Sequence, residues 1–185
     1  MANNNFFNPF IKYITKQPRI IVSFNETHAF ITDSHILLKL THNQYKGYFI
    51  GESTLFPAIS TNKTYQRTDK SAKILTEQEH YTDMDKFFLG VPKYTTQCSN
   101  IVIRHLDGDS VVCFTDEGIM AFDRNLVQIA EAICGNFFGF YGTMKPAVFE
   151  TNSKDEAQQM VVLPLRLSPS YAEELKALGQ FVKGE

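Results

Sequence analysis

Three histidines and one cysteine are the residues whose types and spacing come closest to a catalytic or metal site. His28, His35 and His42 recur at intervals of seven residues. Seven is an odd number, so on one extended strand successive members would point to opposite faces. Because turns lie between these histidines, their spacing neither excludes nor indicates a metal site. Cys113 with His105 would be a nucleophile and its base, but the apolar pattern around Cys113 predicts a core thiol.

Other catalytic motifs are missing from the sequence. No serine or cysteine lies in a nucleophile elbow, and neither HExxH nor a paired-carboxylate motif occurs. Asp107 and Asp109 flank a glycine, and Thr115 precedes an Asp-Glu pair, which is typical of turns. We therefore expect a protein that is not an enzyme and holds no cofactor or metal. A small hydrolase is the alternative from the enzyme class.

Composition indicates one folded domain. The 185 residues are 43% hydrophobic and 21% charged, and the net charge of −2 gives no overall basic signal for nucleic acid. Cys98, Cys113 and Cys134 lack CxxC spacing, which favours reduced thiols over a disulfide or zinc. The N-terminus does not read as a signal peptide, and no apolar run is long enough for a membrane span. We expect a cytoplasmic protein without a membrane partner.

Periodicity places these residues in a mixed helical and stranded fold. A short helix is expected within 8–18, and strands are expected over 19–41 with turns at Asn25-Glu26 and Asp33-Ser34. Another strand or strand pair is expected over 47–56. Residues 60–98 are polar, charged and weakly periodic, with a short helix near 76–88. This change predicts an excursion from the sheet.

The second half repeats the pattern of strands and helices. The expected elements are strands over 100–123 with a hairpin at Asp107-Gly108, a helix over 123–135, two strands over 137–167, and a helical tail over 169–185. Asp123 is expected to cap the helix and Gly135 to end it, with one apolar face made of Leu126, Ile129, Ala130 and Ile133. "FITDSHILL" (30–38) is similar to "CFTDEGIMA" (113–121). This echo permits a duplicated unit of one helix and several strands.

The stretch "QQMVVLPLRLS" (158–168) alternates like a strand but contains Pro164. Proline cannot donate to a sheet ladder, so it belongs on an edge strand or at a strand margin. We expect an edge strand interrupted at Pro164, with pockets and unpaired backbone beside it that an extended peptide can use. The plain alternative is an edge strand that only finishes the sheet.

The last third of the chain resembles the C-terminal domain of the bacterial DNA sliding clamp family, the polymerase III beta subunit. The similarity lies in "MAFDRNLVQIAEAI", "FFGFYGTMKPAVFETN", "SKDEAQ" and "MVVLPLRL", which follow the family's order of strand, helix, strand, acidic turn and closing apolar-Pro-apolar-Arg-Leu peptide. It is best over 119–167, extends over 6–58 and is absent over 60–98. It implies an α+β fold: a DNA-clamp-like domain over 1–168 with an excursion at 60–98, antiparallel sheets with two helices on one face, and the C-terminal helix at 169–185.

The resemblance implies a non-enzymatic processivity factor of DNA replication. Its partners would be a peptide motif of a replication or repair factor, duplex DNA and further copies of the chain. The residues that would line the peptide groove are Val162, Leu163, Pro164, Leu165 and Arg166. The residues that would face DNA phosphates are Lys12, Lys16, Arg19 and Arg124.

Two departures from the family pattern limit what carries over. A clamp subunit has three such domains, whereas this chain has room for one, so that a ring would need several copies. Family members end near the Arg-Leu peptide, but this chain continues over 168–185. A stand-alone relative carried by a phage or mobile element fits both departures. A small RNA- or single-strand-binding module that uses its aromatic residues stays open as an alternative.

Overall fold

The computed structural model describes residues 6–51, 54–88, 102–105, 108–115, 118–140, 146–151 and 158–165, with Ser170, Glu173, Glu174 and Ala177 of the tail. These residues form an α+β fold built from antiparallel sheets. The helices are α1 (Asn8–Ile14), α2 (His42–Tyr48) and α3 (Arg124–Cys134), with a 3-10 turn at Asp85–Phe87. The strands are β1 (Ile20–Phe24), β2 (His28–Thr32), β3 (Ile36–Thr41), β4 (Lys63–Arg67), β5 (Thr76–Glu77), β6 (Val102–His105), β7 (Gly108–Thr115), β8 (Gly118–Asp123), β9 (Asn136–Phe140), β10 (Ala147–Glu150) and β11 (Gln159–Val162).

Helix α3 confirms the most detailed of the sequence predictions. Asp123 caps it by accepting hydrogen bonds from the backbone N–H groups of Asn125 at 2.8 Å and Leu126 at 3.1 Å. Gly135 ends it with φ of 79°, a conformation that glycine adopts without strain. The predicted apolar face is buried. Caps and periodicity are local signals, which is why the sequence alone was sufficient here.

The end of helix α2 and the turns after it occupy the described residues, 47–51 and 54–56, of the range where the sequence predicted a strand. Thr41 and Gln44 form a capping box: the Thr41 hydroxyl accepts the N–H of Gln44, and the Gln44 side chain accepts the N–H of Thr41. The chain then turns through Phe49, and the turns that follow bury Leu55 and Phe56. The strand prediction was wrong because the apolar residues of this stretch pack into the core from a helix end and turns, not from a strand.

The larger sheet contains six strands in a palindromic order, β1-β2-β3-β11-β10-β9, with β4 and β5 added beyond β1. Its eight strands run β5-β4-β1-β2-β3-β11-β10-β9, while β6-β7-β8 form a second sheet. Helix α1 precedes the meander β1-β2-β3, and α3 precedes the meander β9-β10-β11. The last strands of the two meanders, β3 and β11, pair antiparallel, and α1 contacts α3. The structure therefore contains two helix-plus-three-strand units joined at one seam.

The sequence echo does not mark this repeat. Its two copies are the hairpins β2–β3 and β7–β8, which lie in different sheets. The units related by the palindromic order are instead 8–41 and 124–162. A Thr-Asp turn between apolar strands is common, so the similarity of the two stretches does not mean that they occupy equivalent positions in the two units.

Part of the segment expected to leave the sheet belongs to it. Strand β4 pairs with β1 along its whole length, and β5 adds two residues outside β4. The Arg67 guanidinium lies buried on β4 and donates to the carbonyls of Thr15 at 3.0 Å and Gln17 at 2.6 Å. The expected helix near 76–88 is β5 and a single 3-10 turn. The sequence did not predict β4, because its side chains are polar and their hydrogen-bond partners lie far away in the sequence.

Both faces of the large sheet are covered. The helix face, which packs against α1, α2 and α3, carries the main core. The opposite side, here called the strap face, buries a smaller cluster under residues 78–88, here called the strap. Val161 and Val162 illustrate the alternation, since Val161 belongs to the strap-face cluster and Val162 to the main core.

The two described cysteines are buried thiols outside any disulfide. Cys113 and Cys134 form no disulfide, which confirms the expectation of core thiols at these positions. Burial raises the pKa of Cys134 to about 12, so its thiol is protonated near neutral pH and a poor nucleophile. Cys98 lies outside the described residues. No helix in the described part of the chain is long and apolar enough to cross a membrane.

Candidate binding groove

Strand β11 is an interior strand, so the expected edge strand at this position is wrong. It pairs with β3 on one side and with β10 on the other. The last paired residue is Val162, and Pro164 follows it. Proline is therefore outside the ladder, where its missing N–H costs no sheet hydrogen bond. Because both sides of β11 are paired, no peptide can add a strand there.

Pro164 marks the point where the chain passes from one sheet to the other. The Leu163 N–H donates to the carbonyl of His35, in the β2–β3 turn of the large sheet, at 2.8 Å. The Leu165 N–H donates to the carbonyl of Ala121, on β8 of the small sheet, at 2.8 Å. The two residues beside the proline are thus held by different sheets. A residue without an N–H fits the position between them.

A groove runs across the strands on the strap face beside this transfer point. Its floor is one row of cross-strand partners, Ile21, Thr32, Leu37 and Val161, on four adjacent strands. Three interstrand spacings make this floor about 14 Å long. The groove therefore lies perpendicular to the strands.

Two walls and an end close the groove into a cavity of about 230 Å³. Thr82, Met84 and Phe87 of the strap form one wall, and Ser34 and His35 of the β2–β3 turn line the other. Leu163 also lines the cavity. A cavity of roughly 150 Å³ holds a benzene-sized group, so this space fits one or two apolar side chains.

Hydroxyl groups hold the first part of the strap on the sheet. The Ser23 hydroxyl donates to the carbonyl of Thr82 at 2.8 Å and lies 3.1 Å from the Thr64 hydroxyl. The Thr64 hydroxyl accepts the N–H of Thr82 at 2.8 Å. Ser23 and Thr64 are directly paired on β1 and β4. The strap wall is therefore anchored through two strands.

The far part of the strap is held by charge and ring contacts. The Lys39 ammonium forms an ion pair with Asp85 at 2.7 Å and lies 5.3 Å from the ring centre of Phe88. Phe88 in turn contacts the ring of Phe30 at 6.2 Å between centres. Since both ends of the strap are fixed, the groove is formed before any ligand arrives, which lowers the ordering cost of binding.

The opposite wall is fixed by the buried carboxylate of Asp33. It accepts hydrogen bonds from the N–H groups of His35 at 2.8 Å and Ile36 at 3.1 Å, and from the Tyr13 hydroxyl at 2.5 Å. Burial, and then the bond to Asp33, raise the pKa of Tyr13 above its usual value. Asp33 thus ties the turn that carries Ser34 and His35 to helix α1.

The five residues expected to line a peptide groove have different positions. Leu163 lines the cavity, and Pro164 stands half-buried at the sheet transfer. Leu165 is 39% exposed, whereas Val162 is fully buried in the main core and cannot contact a ligand. Arg166 lies outside the described residues. The expectation for Val162 was wrong because alternation turns it to the helix face.

Sequence reasoning missed the floor and the strap wall. Alternation in β2 and β3 places Thr32 and Leu37 on one face, a signal that the sequence does contain. Nothing local indicates that Phe87, 48% exposed, stands over that face. Its position follows from the tertiary contacts of the strap.

The four cations expected at a DNA surface divide into two groups. Lys12, Lys16 and Arg19 are exposed along the segment from α1 to β1. Arg124 forms an ion pair with Asp109 at 3.0 Å. The other exposed residues of α3 are neutral or acidic: Asn125, Gln128, Glu131 and Ala132. The structure therefore presents three of the four as solvent-facing cations and gives Arg124 a local partner.

No constellation for catalysis or metal binding forms in the part of the chain that the structure describes. No three His, Cys, Asp or Glu side chains gather there as ligands. His28 is the first residue of β2, His35 lies in the β2–β3 turn, and His42 is the first residue of α2. Cys113 is fully buried in the main core. No protein-family model matches this chain, and a search of curated proteins gives no match.

Proposed function

We propose that the protein is a non-enzymatic, clamp-like interaction module of the cytoplasm that binds a short apolar peptide of a replication or repair factor. The observation that carries the proposal is the preformed apolar groove floored by Ile21, Thr32, Leu37 and Val161. The two joined helix-plus-three-strand units support the clamp-like part. A concave apolar site with few polar groups is the usual form of a binding site.

The peptide inserts side chains and does not add a strand. Both neighbours of β11 are already strands, and Leu163 already donates its N–H to His35. The lining hydroxyl residues Thr32, Ser34 and Thr82 stand among apolar neighbours. Two buried aliphatic or aromatic side chains contribute about 3–6 kcal/mol, which corresponds to weak binding with a dissociation constant between several millimolar and some tens of micromolar.

Selection from a library of linear peptides on the full chain tests this function. We expect enriched peptides with two neighbouring apolar residues, which bind at least about tenfold more weakly after Phe87→Ser, since loss of one buried ring removes about 1.4 kcal/mol or more. Phe87 is half-exposed, so the variant keeps its fold. Phe6→Ser is the matched control, because Phe6 is 46% exposed and does not line the groove, and it leaves binding unchanged. Peptides that bind the wild type and Phe87→Ser equally, or no enrichment, would refute the groove.

Duplex DNA is a second proposed ligand, favoured by the exposed row of Lys12, Lys16 and Arg19. Three phosphate contacts predict weak binding whose logarithm falls with the logarithm of salt at a slope of about −2.7. Anisotropy of a labelled duplex measures it. We expect Lys12→Glu with Lys16→Glu to abolish binding, and Arg124→Ala, which removes a cation already paired with Asp109, to leave it nearly unchanged.

Three results would contradict DNA binding through this row. One is affinity that does not depend on salt. Another is an equal loss in the Arg124 control. The third is a clear preference for a single-stranded oligonucleotide, which would support the aromatic single-strand module instead.

A further inference from the structure

The positive charges of this chain are unevenly distributed. Residues 12–19 and 66–73 together contain six lysines and arginines but one acidic residue, Asp69. The lysines and arginines that form ion pairs in the described part of the chain all lie outside these two ranges, and they are Lys39, Lys63 and Arg124. Folded proteins usually intersperse both signs of charge on their surface. The two ranges are therefore strongly basic in a chain whose net charge is −2.

The buried side chain of Arg67 brings the two ranges together. Its guanidinium donates to the carbonyls of Thr15 and Gln17 in the first range, and to the carbonyl of Ala72 in the second at 3.3 Å. Lys16 lies between the first two acceptors. Because one guanidinium is bonded to both segments, their cations are held in the same part of the molecule.

No ion pair neutralises these cations among the residues that the structure describes. The Nε–H of Arg67 is buried and has no hydrogen-bond acceptor there. The carboxylate of Asp69 accepts the N–H of Ser71 at 2.9 Å and its hydroxyl at 2.8 Å, so it is held within its own turn. The exposed cations of the two ranges, here called the basic patch, are Lys12, Lys16, Arg19, Lys70 and Lys73.

We propose that the DNA surface extends beyond the row of Lys12, Lys16 and Arg19, and that Lys70 and Lys73 in the turn after β4 contact further backbone phosphates. This inference rests on the proposed binding of duplex DNA. Each neutralised phosphate adds about −0.9 to the salt slope, so the five cations of the basic patch predict about −4.5, whereas the row alone predicts about −2.7. Phosphate contacts carry no sequence information, so duplexes of different sequence should bind equally.

Anisotropy of a labelled duplex, measured on the full chain over a range of salt concentrations, tests the extension. We expect Lys70→Gln with Lys73→Gln to reduce the steepness of the slope by about 1.8 and to weaken binding at 0.1 M salt by about one to two orders of magnitude. The matched control is Lys46→Gln with Lys63→Gln. It removes the same charge from α2 and from the opposite end of β4, where Lys63 is already paired with Glu77, and should keep the slope of the wild type. All four lysines are exposed, so both variants keep the fold.

The possible results separate the extension from the function on which it rests. A wild-type slope of about −2.7 that Lys70→Gln with Lys73→Gln does not change would overturn the extension. If Lys12→Glu with Lys16→Glu still abolishes binding in that case, the row remains a DNA site. An equal change of slope in the control variant would also overturn the extension, because the attraction would then depend on net charge alone. Absence of duplex binding in the wild type would refute the DNA function itself.

Discussion

Replacing Phe49 with alanine is expected to lower the free energy of unfolding by about 4 kcal/mol, near the top of the range for a single core substitution. Phe49 is fully buried where α2 ends. Its ring lies 5.5 Å from Phe7, 6.3 Å from Phe10, 5.7 Å from Tyr45 and 5.1 Å from Phe56, measured between ring centres. Removing it opens a cavity bordered by four other rings.

The expected loss of stability in Phe49→Ala has two sources. The transfer of a phenyl side chain and the cavity left behind together cost about 3–5 kcal/mol. The aromatic pairs add directional contacts, since Tyr45 stacks on Phe49 and Phe56 meets it edge-on. The rings belong to α1, α2 and the turns after α2, so one substitution loosens three segments.

Urea denaturation of Phe49→Ala measures this loss, and the next residue supplies the control. Ile50 is 43% exposed, and Ile50→Ala should change stability by about 0.5 kcal/mol or less. If Phe49→Ala does not fold, Phe49→Leu keeps much of the volume and should still lose about 1–1.5 kcal/mol. Equal stability of the Phe49 and Ile50 variants would contradict the central place given to this ring.

The second large effect is expected at Asp33. The residue is 5% exposed and its carboxylate accepts three hydrogen bonds, so Asp33→Ala leaves the N–H groups of His35 and Ile36 and the hydroxyl of Tyr13 without their acceptor. Bonds to charged groups contribute about 1.5–3 kcal/mol each and are not additive, which leads us to expect a loss of about 3 kcal/mol. Asp33→Asn retains an acceptor oxygen for both backbone groups and should lose about 1 kcal/mol.

The same chain offers a matched control for Asp33. Asp69 also accepts a hydrogen bond from the N–H two residues on, that of Ser71, but in an exposed turn. Asp69→Ala should leave the urea midpoint unchanged, because water replaces the lost acceptor. The Asp33→Ala variant should also lose peptide binding, since Asp33 holds the wall with Ser34 and His35. A large effect at Asp69 would show that the turn and not its burial determines stability, and no effect at Asp33 would contradict the contribution of its buried hydrogen bonds.

Local signals predicted the parts of the fold that local forces determine. Asp123 and Gly135 bound α3 as expected, and the turns at Asn25 and Asp33 separate β1, β2 and β3 as expected. The strand at 63–67 was missed, because its polar residues are explained only by partners such as Ser23, far away in the sequence. The capping box at Thr41 was a local signal for α2, but the apolar residues after it favoured a strand.

The groove was predicted only at its margin. Pro164 indicated the correct place for the wrong reason, since it marks a transfer of the chain between sheets and not an edge strand. The floor needs the register of four strands, and the wall needs the path of the strap. Neither register nor path is encoded in a short stretch of sequence, because both depend on which strands become neighbours.

The seam between β3 and β11 has a consequence for when this protein becomes competent during synthesis. It joins residues 36–39 to residues 159–162, so the ribosome must deliver the chain as far as residue 162 before the sheet can close. Contacts so distant in sequence also make folding slow. The nascent N-terminal unit has three of the four floor residues but lacks β11, which supplies Val161. A partner therefore meets the complete floor only after residue 162 has been made, and a chain that stalls before residue 159 exposes the apolar side of β3 to chaperones.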